Sequence, residues 1–402
     1  LNNPVALVVA GGILILLGLV PGMPSMIFLF LGLISSGVGF WLLRLTNPMT
    51  ESLDSQISAQ PVQSEVINEE LDWDDVEQVD VVGLDIGYGL IPLVNPETGG
   101  QLLPRVKGVR KKLSAELGFL IQPIRIRDDL DLNPDVYHIV MNGVVRGKGE
   151  VKIGRELAIN PGQAQGVLDG ITTREPAFGL EATWIDGSQR DYAKTLGYTV
   201  VDPATAIATH LNTLLRDNSS ELLSHDETQQ LLNKVAARSP KLVEDLVPGK
   251  LPLATVTRVL QNILEESVSV RDMRTIIEVL STESSLTQNA DELTAAVRPK
   301  LGRMIVQGLV DINDSLPVMT LNPTLEQMLH NVLQQNSNNQ GLVIEPQLAE
   351  GLFKSLSQNA EEIENQGQPA VLVVSPAIRP WLAKLIRNRL SDITVLSYSE
   401  IP

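Results

Sequence analysis

The first 43 residues of this 402-residue chain carry no charged side chain, and that run restricts the fold more than anything else in the sequence. Pro4 to Val20 is apolar for 17 residues, Pro21-Gly22-Met23-Pro24 interrupts it, and Ser25 to Leu43 is apolar for 19 more. A helix that crosses a bilayer needs about 20 apolar residues, with a lower limit near 17. The two segments and their short break therefore predict a transmembrane helical hairpin over residues 1–46. Gly32 with Ser36, and Ser35 with Gly39, place small residues four apart on one helix face, as close packing in a membrane requires. Trp41 and Arg44 form an interfacial anchor at the end of the second segment, and Arg44 puts that end in the cytoplasm. A buried helical hairpin of a soluble domain is the alternative. No basic region precedes the apolar run, which argues against a signal peptide. The chain starts at Leu1, almost inside the first segment, and is expected to be the carboxy-terminal part of a longer protein.

Everything beyond the first 43 residues carries the net charge of −17. That balance argues against a nucleic-acid partner, because phosphate neutralisation needs an excess of Lys and Arg. The absence of cysteine removes disulfides, thiolate zinc sites and thiol nucleophiles together. Residues 47–80 are polar and acidic and have the composition of a linker. Within them "LDWDDVEQVD" sets Trp73 among five acids, and no Lys or Arg occurs between Leu45 and Pro104.

Folded structure is expected from Val81. "VDVVGLDIGYGLIPLV" has a strand pattern, with Gly83, Gly87 and Gly89 marking a bend or a close backbone approach. "RVKGVRKKLSAELGFL" keeps helical spacing at Val106, Val109, Leu113, Leu117 and Leu120. "IQPIRIRD", "YHIVMNGVVRGKGEVKI", "ELAINPG", "EATWIDG" and "GYTVVD" are strands and turns. Asp202-Pro203 then starts a helix that runs to Arg216. Residues 224–310 hold four apolar helical stripes. "PAVLVVSP", "IRPWLAKLIRNRL" and "ITVLSYSE" form a βαβ unit, with "LQQNSNNQG" as a solvated loop before it. The fold class is α+β multidomain: an N-terminal transmembrane hairpin, an acidic linker, then an α+β part, a helical part and a terminal α/β part.

No catalytic constellation survives inspection. "GVVRGKGE" (Gly143 to Glu150) is one residue short of a phosphate-loop spacing and has Gly149 where Ser or Thr would hold Mg²⁺, so a glycine turn between two strands explains it better. "GLDIGYG" lacks the last glycine of a dinucleotide fingerprint. "DDLDLNPD" starts like a calcium loop, but Pro134 and Val140 stand where Gly and Glu belong. His138, His210, His225 and His330 are scattered without metal-ligand spacing, and no G-x-S-x-G elbow occurs. The expectation is a non-enzyme with no cofactor and no metal.

Five stretches together resemble a known family. They are "NPVALVVAGGILILLGLVPGMP", "EPAFGLEATWID", "LGYTVVDPATAIATHL", "LVEDLVPGKLPLATVTRVLQNILEESVSVRDMRTIIEVL" and the closing "VLSYSEIP". The chain is similar over essentially its whole length to the export-gate family of type III secretion systems, most of all to its flagellar branch, with the virulence-injectisome branch as the near alternative. A transporter with a regulatory soluble tail is a third reading, although the hairpin holds no ionisable residue for a transport path.

The resemblance implies a multi-pass bacterial inner-membrane protein with a large cytoplasmic part, of whose eight membrane helices this chain keeps the last two. The carboxylates tied to proton coupling would lie in the portion before Leu1. It implies a first cytoplasmic subdomain over 81–153 and 203–222, a second inserted over 154–202, a helical third over 223–302 and an α/β fourth over 303–402. It implies a ring of nine copies that receives flagellar chaperone–substrate complexes and meets export ATPase components and other export-gate membrane proteins.

It further implies a chaperone-docking dimple, with Phe178 as apolar floor, Glu175 as rim charge, Val201 as wall and Thr209 as pocket threonine. Glu175 stands where the family has Asp, which keeps the charge on a longer arm. Trp73, flanked by Glu70 and Asp75, would dock on the neighbouring subunit near the same dimple and give way to an arriving chaperone; a solvated linker with an incidental Trp is the plainer reading. Gly87 matches a glycine associated with subdomain movement and is either a hinge or a strand bulge.

Overall fold

Alternation and turn chemistry build the first sheet. Val82–Ile86 (β1) is almost wholly buried, and Arg125–Asp128 (β2) pairs with it in parallel. Val136–Met141 (β3) alternates half-buried and buried positions, as a strand with one covered face does. Asn142 and Gly143 both take positive φ, 49° and 78°, which is the two-residue hairpin turn that Asn-Gly favours. Val144–Glu150 (β4) returns antiparallel, so the order is β2-β1-β3-β4. In this computed structural model the described residues are 79–95, 97, 100–310, 314–335, 345–390 and 392–402. The expected hairpin at 1–46, most of the linker, and Glu70, Trp73 and Asp75 lie outside them. Among the described residues no helix is long and apolar enough to cross a membrane.

Two helices pack side by side against this sheet. The first, Leu102–Leu117 (α1), ends where Gly118 takes φ 99°. Leu120 therefore falls outside the helix, and the expected stripe stops one turn early. The strand pattern expected through Val94 also stops early, at Ile86, and gives way to helical turns over Tyr88–Leu90 and Ile91–Val94.

A second antiparallel sheet, in the order β6-β7-β5-β8, comprises Arg155–Ile159 (β5), Ile171–Arg174 (β6), Glu181–Asp186 (β7) and Thr199–Val201 (β8). Leu157 of β5 joins the main core, while Ala158 joins a small cluster with Ile185 and Val200 on the opposite face. The short helix Arg190–Thr195 (α2) adds Ala193 to that cluster. The second packing helix, Pro203–Asp217 (α3), follows β8 directly: Asp202 accepts from Thr205 N at 2.8 Å and Pro203 occupies the first helical position.

Five helices continue the same core: His225–Ala236 (α4), Pro240–Leu246 (α5), Leu253–Glu265 (α6), Met273–Glu283 (α7) and Ala290–Leu309 (α8). Ser224 and Glu227 start α4 with a reciprocal capping box.

The terminal part has its own core and a parallel sheet. Its elements are Met319–Thr320 (β9), Pro323–Gln335 (α9), Pro346–Glu364 (α10), Val371–Val374 (β10), Arg379–Arg387 (α11) and Thr394–Ser397 (β11), in sheet order β11-β10-β9. The expected βαβ unit is β10, α11 and β11.

Three buried charges and the half-buried Glu266 meet where this part joins the helices. Arg298 of α8, 1% exposed, donates to Glu400 Oε2 at 2.8 Å and faces Glu266 Oε2 at 3.0 Å. Arg379 donates to Glu266 Oε1 at 3.0 Å and lies 3.6 Å from Glu400 Oε1. Gly302 of α8 leaves room for the Glu400 carbonyl, which any Cβ there would strike.

Candidate functional site

The hairpin joining β6 to β7 is where the sequence expectations converge. Its six residues, "EPAFGL", hold the loop at several points. Glu175 folds its carboxylate back, accepting Ala177 N at 2.9 Å through Oε1 and Phe178 N at 2.7 Å through Oε2. Pro176 restricts the next dihedral. Gly179 takes φ 69° and donates its N–H to Glu175 O at 2.9 Å. Glu175 N donates to Leu180 O at 2.8 Å and closes the hairpin. With the backbone held at each of these points, the Phe178 ring turns outward and stays 66% exposed.

Glu175 differs from the expectation. It is 2% exposed, and both carboxylate oxygens are taken by loop amides, so it holds the Phe178 loop from beneath and does not present a rim charge. Val201 is half-buried at the end of β8, opposite Leu157 of β5, and packs against the main core. Thr209 is half-buried on α3 between buried Ala208 and His210. The charge of Glu175 raises the phenol pKa of Tyr137, after burial as the larger cause, and opposes the lowering that burial imposes on His210.

Gly87 is elsewhere, at the end of β1 against the Asn133–Pro134 turn. Its φ of −66° and ψ of 154° suit any residue, so its freedom of rotation is not used in this conformation. Glycine is required there for closeness: a Cβ would strike Asn133 O and lie 2.8 Å from Pro134 O. Gly87 N donates to Val136 O at 2.8 Å.

Sequence inspection passed over Tyr137 and His210. Tyr137 is fully buried, and its hydroxyl lies 2.9 Å from His210 Nδ1. The signal was in "RGKG". A Cβ on Gly147 would lie 2.9 Å from His210 Nε2, and one on Gly149 would lie 2.7 Å from Tyr137 Cε1. The glycines that imitate a phosphate loop are spaces for an aromatic pair. A further concavity of about 620 Å³ runs along α10 beside β9, lined by Leu321, Leu325, Leu352, Leu356 and Asn359 among others.

Among the described residues no group of three or more His, Cys, Asp or Glu is placed to hold a metal. What the Phe178 region offers is an exposed aromatic on a braced loop, an arrangement suited to taking up an apolar group.

Comparison with known proteins bears on this arrangement. The flagellar biosynthesis protein FlhA of Salmonella typhimurium is 41% identical over 400 residues, covering 100% of this chain and 56% of that protein. The chain therefore spans about half the length of the curated relatives it matches. CdsV in the Chlamydia pneumoniae CdsV and CdsO complex shares the fold at TM-score 0.69 and 24% identity, over 82% of this chain and 99% of that one. The nonameric SctV-C of EPEC does so at TM-score 0.65 and 21% identity, over 81% of this chain and 96% of that one. The model of the FHIPEP family matches residues 1–402, and the chain belongs to that family.

Proposed function

We propose that this chain is the docking and ring-forming part of a flagellar type III export gate. It receives chaperone–substrate complexes and hands unfolded flagellar proteins to a membrane channel. The observation that carries this reading is the Phe178 loop: a large aromatic, 66% exposed, is held outward by a buried carboxylate that serves the loop alone. Exposing an apolar ring on a braced backbone is unfavourable for a monomer in water and useful as an anchor for a partner. The 41% identity to Salmonella FlhA, against 24% to CdsV, favours the flagellar branch over the injectisome branch.

In this reading Phe178, Thr209 and Val201 line the site and Glu175 braces it. Residues 1–46 anchor the chain in the inner membrane as a hairpin, with residues 81–402 in the cytoplasm. The subdomain boundaries are those implied by the resemblance. SctV-C is nonameric, and CdsV is found in a complex with CdsO. By analogy nine copies of this chain form a ring that meets components of the export ATPase complex and other export-gate proteins. Trp73, with Glu70 and Asp75, docks on the next copy and is displaced when a chaperone arrives. Gly87 marks the place where one subdomain moves against another.

Calorimetric titration of the detergent-solubilised chain with flagellar chaperone–substrate complexes tests the proposal. Covering the exposed part of Phe178, roughly 100–150 Å² at about 25 cal/mol per Å², contributes about 3 kcal/mol. Phe178→Ala is expected to weaken binding about a hundredfold, and unchanged affinity in that variant would refute the site. Trp73→Ala leaving both ring assembly and chaperone affinity unaltered would dispose of the linker switch.

A further inference from the structure

The chain enters the first sheet under restraint from both sides. Val82, Leu84 and Ile86 of β1 belong to the main core, so Gly83 and Asp85 between them face the other way. Their partners on β2 are Arg125 and Arg127, two positions apart and on that same face. Asp80, two residues before β1, pairs with both: its Oδ1 lies 2.9 Å from Arg125 Nε, and its Oδ2 accepts from Arg127 Nη2. The Asp80 side chain is only 17% exposed, although both arginines stand at the surface. On the other side of β1, Asn142 N donates to Val81 O at 3.1 Å, and a Cβ on Gly143 would lie 3.1 Å from Val79 Cγ1. The residues just before β1 are therefore held from β2 on one side and from the β3–β4 turn on the other. No Lys or Arg occurs between Leu45 and Pro104, so Asp80 is neutralised only from another part of the fold.

We propose that Asp80 is a positioning residue for the acidic segment before it: held by Arg125 and Arg127, it fixes the point from which that segment leaves the first sheet, and so limits where Trp73 can dock. The proposal rests on the linker docking argued above. A lone exposed ion pair adds little to stability. One carboxylate shared by two guanidinium groups of a single strand is restrained in two directions at once, which is what an anchor needs. Trp73 precedes Asp80 by seven residues. A residue spans at most about 3.6 Å, so Trp73 lies no further than about 25 Å from the clamp, and its site on the next copy must fall within that radius. A tether with a fixed origin raises the effective concentration of Trp73 at that site, because fewer of its orientations miss. Neutralising Asp80 shifts the origin towards β1 and lets the segment swing over the sheet.

The chain has no cysteine, so introduced thiols take spin labels at chosen places only. The whole chain in detergent, carrying Val76→Cys and Leu286→Cys and diluted with unlabelled chain, gives the distance distribution between the segment and the exposed loop after α7 by double electron–electron resonance. Asp80→Asn, and separately Arg125→Gln with Arg127→Gln, are expected to widen that distribution. Both are expected to speed amide exchange at Asn142 about fivefold, as the loss of one ion pair allows. The concentration at which half the chain is in rings is expected to rise by no more than about fivefold, and by less than in Trp73→Ala. Asp80→Glu keeps the carboxylate and is expected to restore most of each readout. An unchanged distribution in Asp80→Asn overturns the clamp. A wider distribution with assembly unaltered, while Trp73→Ala weakens assembly, overturns the positioning role. Assembly absent in the parent chain, or unaltered in Trp73→Ala, overturns the linker docking itself, and the failures are thereby distinct.

Discussion

Replacing Glu400 by alanine removes one of four charges, three of them buried, that balance between the helical and terminal parts. Glu400 is 2% exposed and accepts from Arg298 Nη2 at 2.8 Å and Nε at 3.3 Å, and from Ser397 Oγ at 3.0 Å. It is also 3.6 Å from Arg379 Nε. In the variant two guanidinium groups share the single carboxylate of Glu266, and the cluster passes from neutral to one net positive charge. Breaking a buried pair in this way costs about 3–5 kcal/mol, because a desolvated charge is left without a counterion. With an m value of about 3 kcal/mol/M in urea, the midpoint falls by roughly 1–1.7 M. The assay is urea denaturation followed by far-UV circular dichroism. The control is Glu400→Gln combined with Arg298→Met, which leaves Arg379 paired with Glu266 and is expected to recover most of the loss. A single variant costing under about 1 kcal/mol, or a double variant no more stable than the single one, would refute the view that charge imbalance is what matters here.

Other outcomes follow from the same structure. Glu175→Ala frees the amides of Ala177 and Phe178; it is expected to cost about 1–3 kcal/mol and to raise hydrogen exchange at those two positions. Gly87→Ala forces a methyl against Asn133 O and is expected to destabilise by about 1–3 kcal/mol, read from thermal denaturation. His210, held below its usual 6.5 by burial against the pull of Glu175, is protonated more readily unfolded than folded. Its contribution to stability is complete above that value and declines as pH falls towards the folded pKa; the slope should flatten in His210→Gln, measured by urea midpoints from pH 5 to 8. Glu266 is held below its usual 4.5 because Arg298 and Arg379 outweigh the opposing effect of burial. Its share of stability is present above 4.5 and is lost in more acid solution, as denaturation midpoints below pH 5 should show.

Much of the fold was legible because its signals are local. The Asn142-Gly143 turn, the Asp202-Pro203 helix start and the fully buried run Val371–Val374 each follow from a few neighbouring residues. β6 and α2 were not read, since "ITTR" and "RDYAKT" are short and mostly polar. α10 was not read either: its buried face is only Leu352, Leu356 and Ala360, diluted by Gly351 and a polar remainder. For the candidate site, the setting of Phe178 between Pro176 and Gly179 was visible in order. The burial of Glu175 was not, because a carboxylate among surface-type residues carries no mark of the amides it will meet.

The sequence by itself determined the strongly patterned helices, strands and turns, the separation of an uncharged start from an acidic remainder, and the absence of cysteine chemistry. These depend on periodicity and composition, which are properties of neighbours along the chain. Only the tertiary structure decided that Tyr137 meets His210 across 73 positions and that Arg298 meets Glu400 across 102. It also decided that Gly87, Gly147, Gly149 and Gly302 are glycine because another part of the chain comes too close for a side chain. Such contacts are chosen by packing between distant elements, where the requirement is the shape and charge of the facing surface and no local pattern records it.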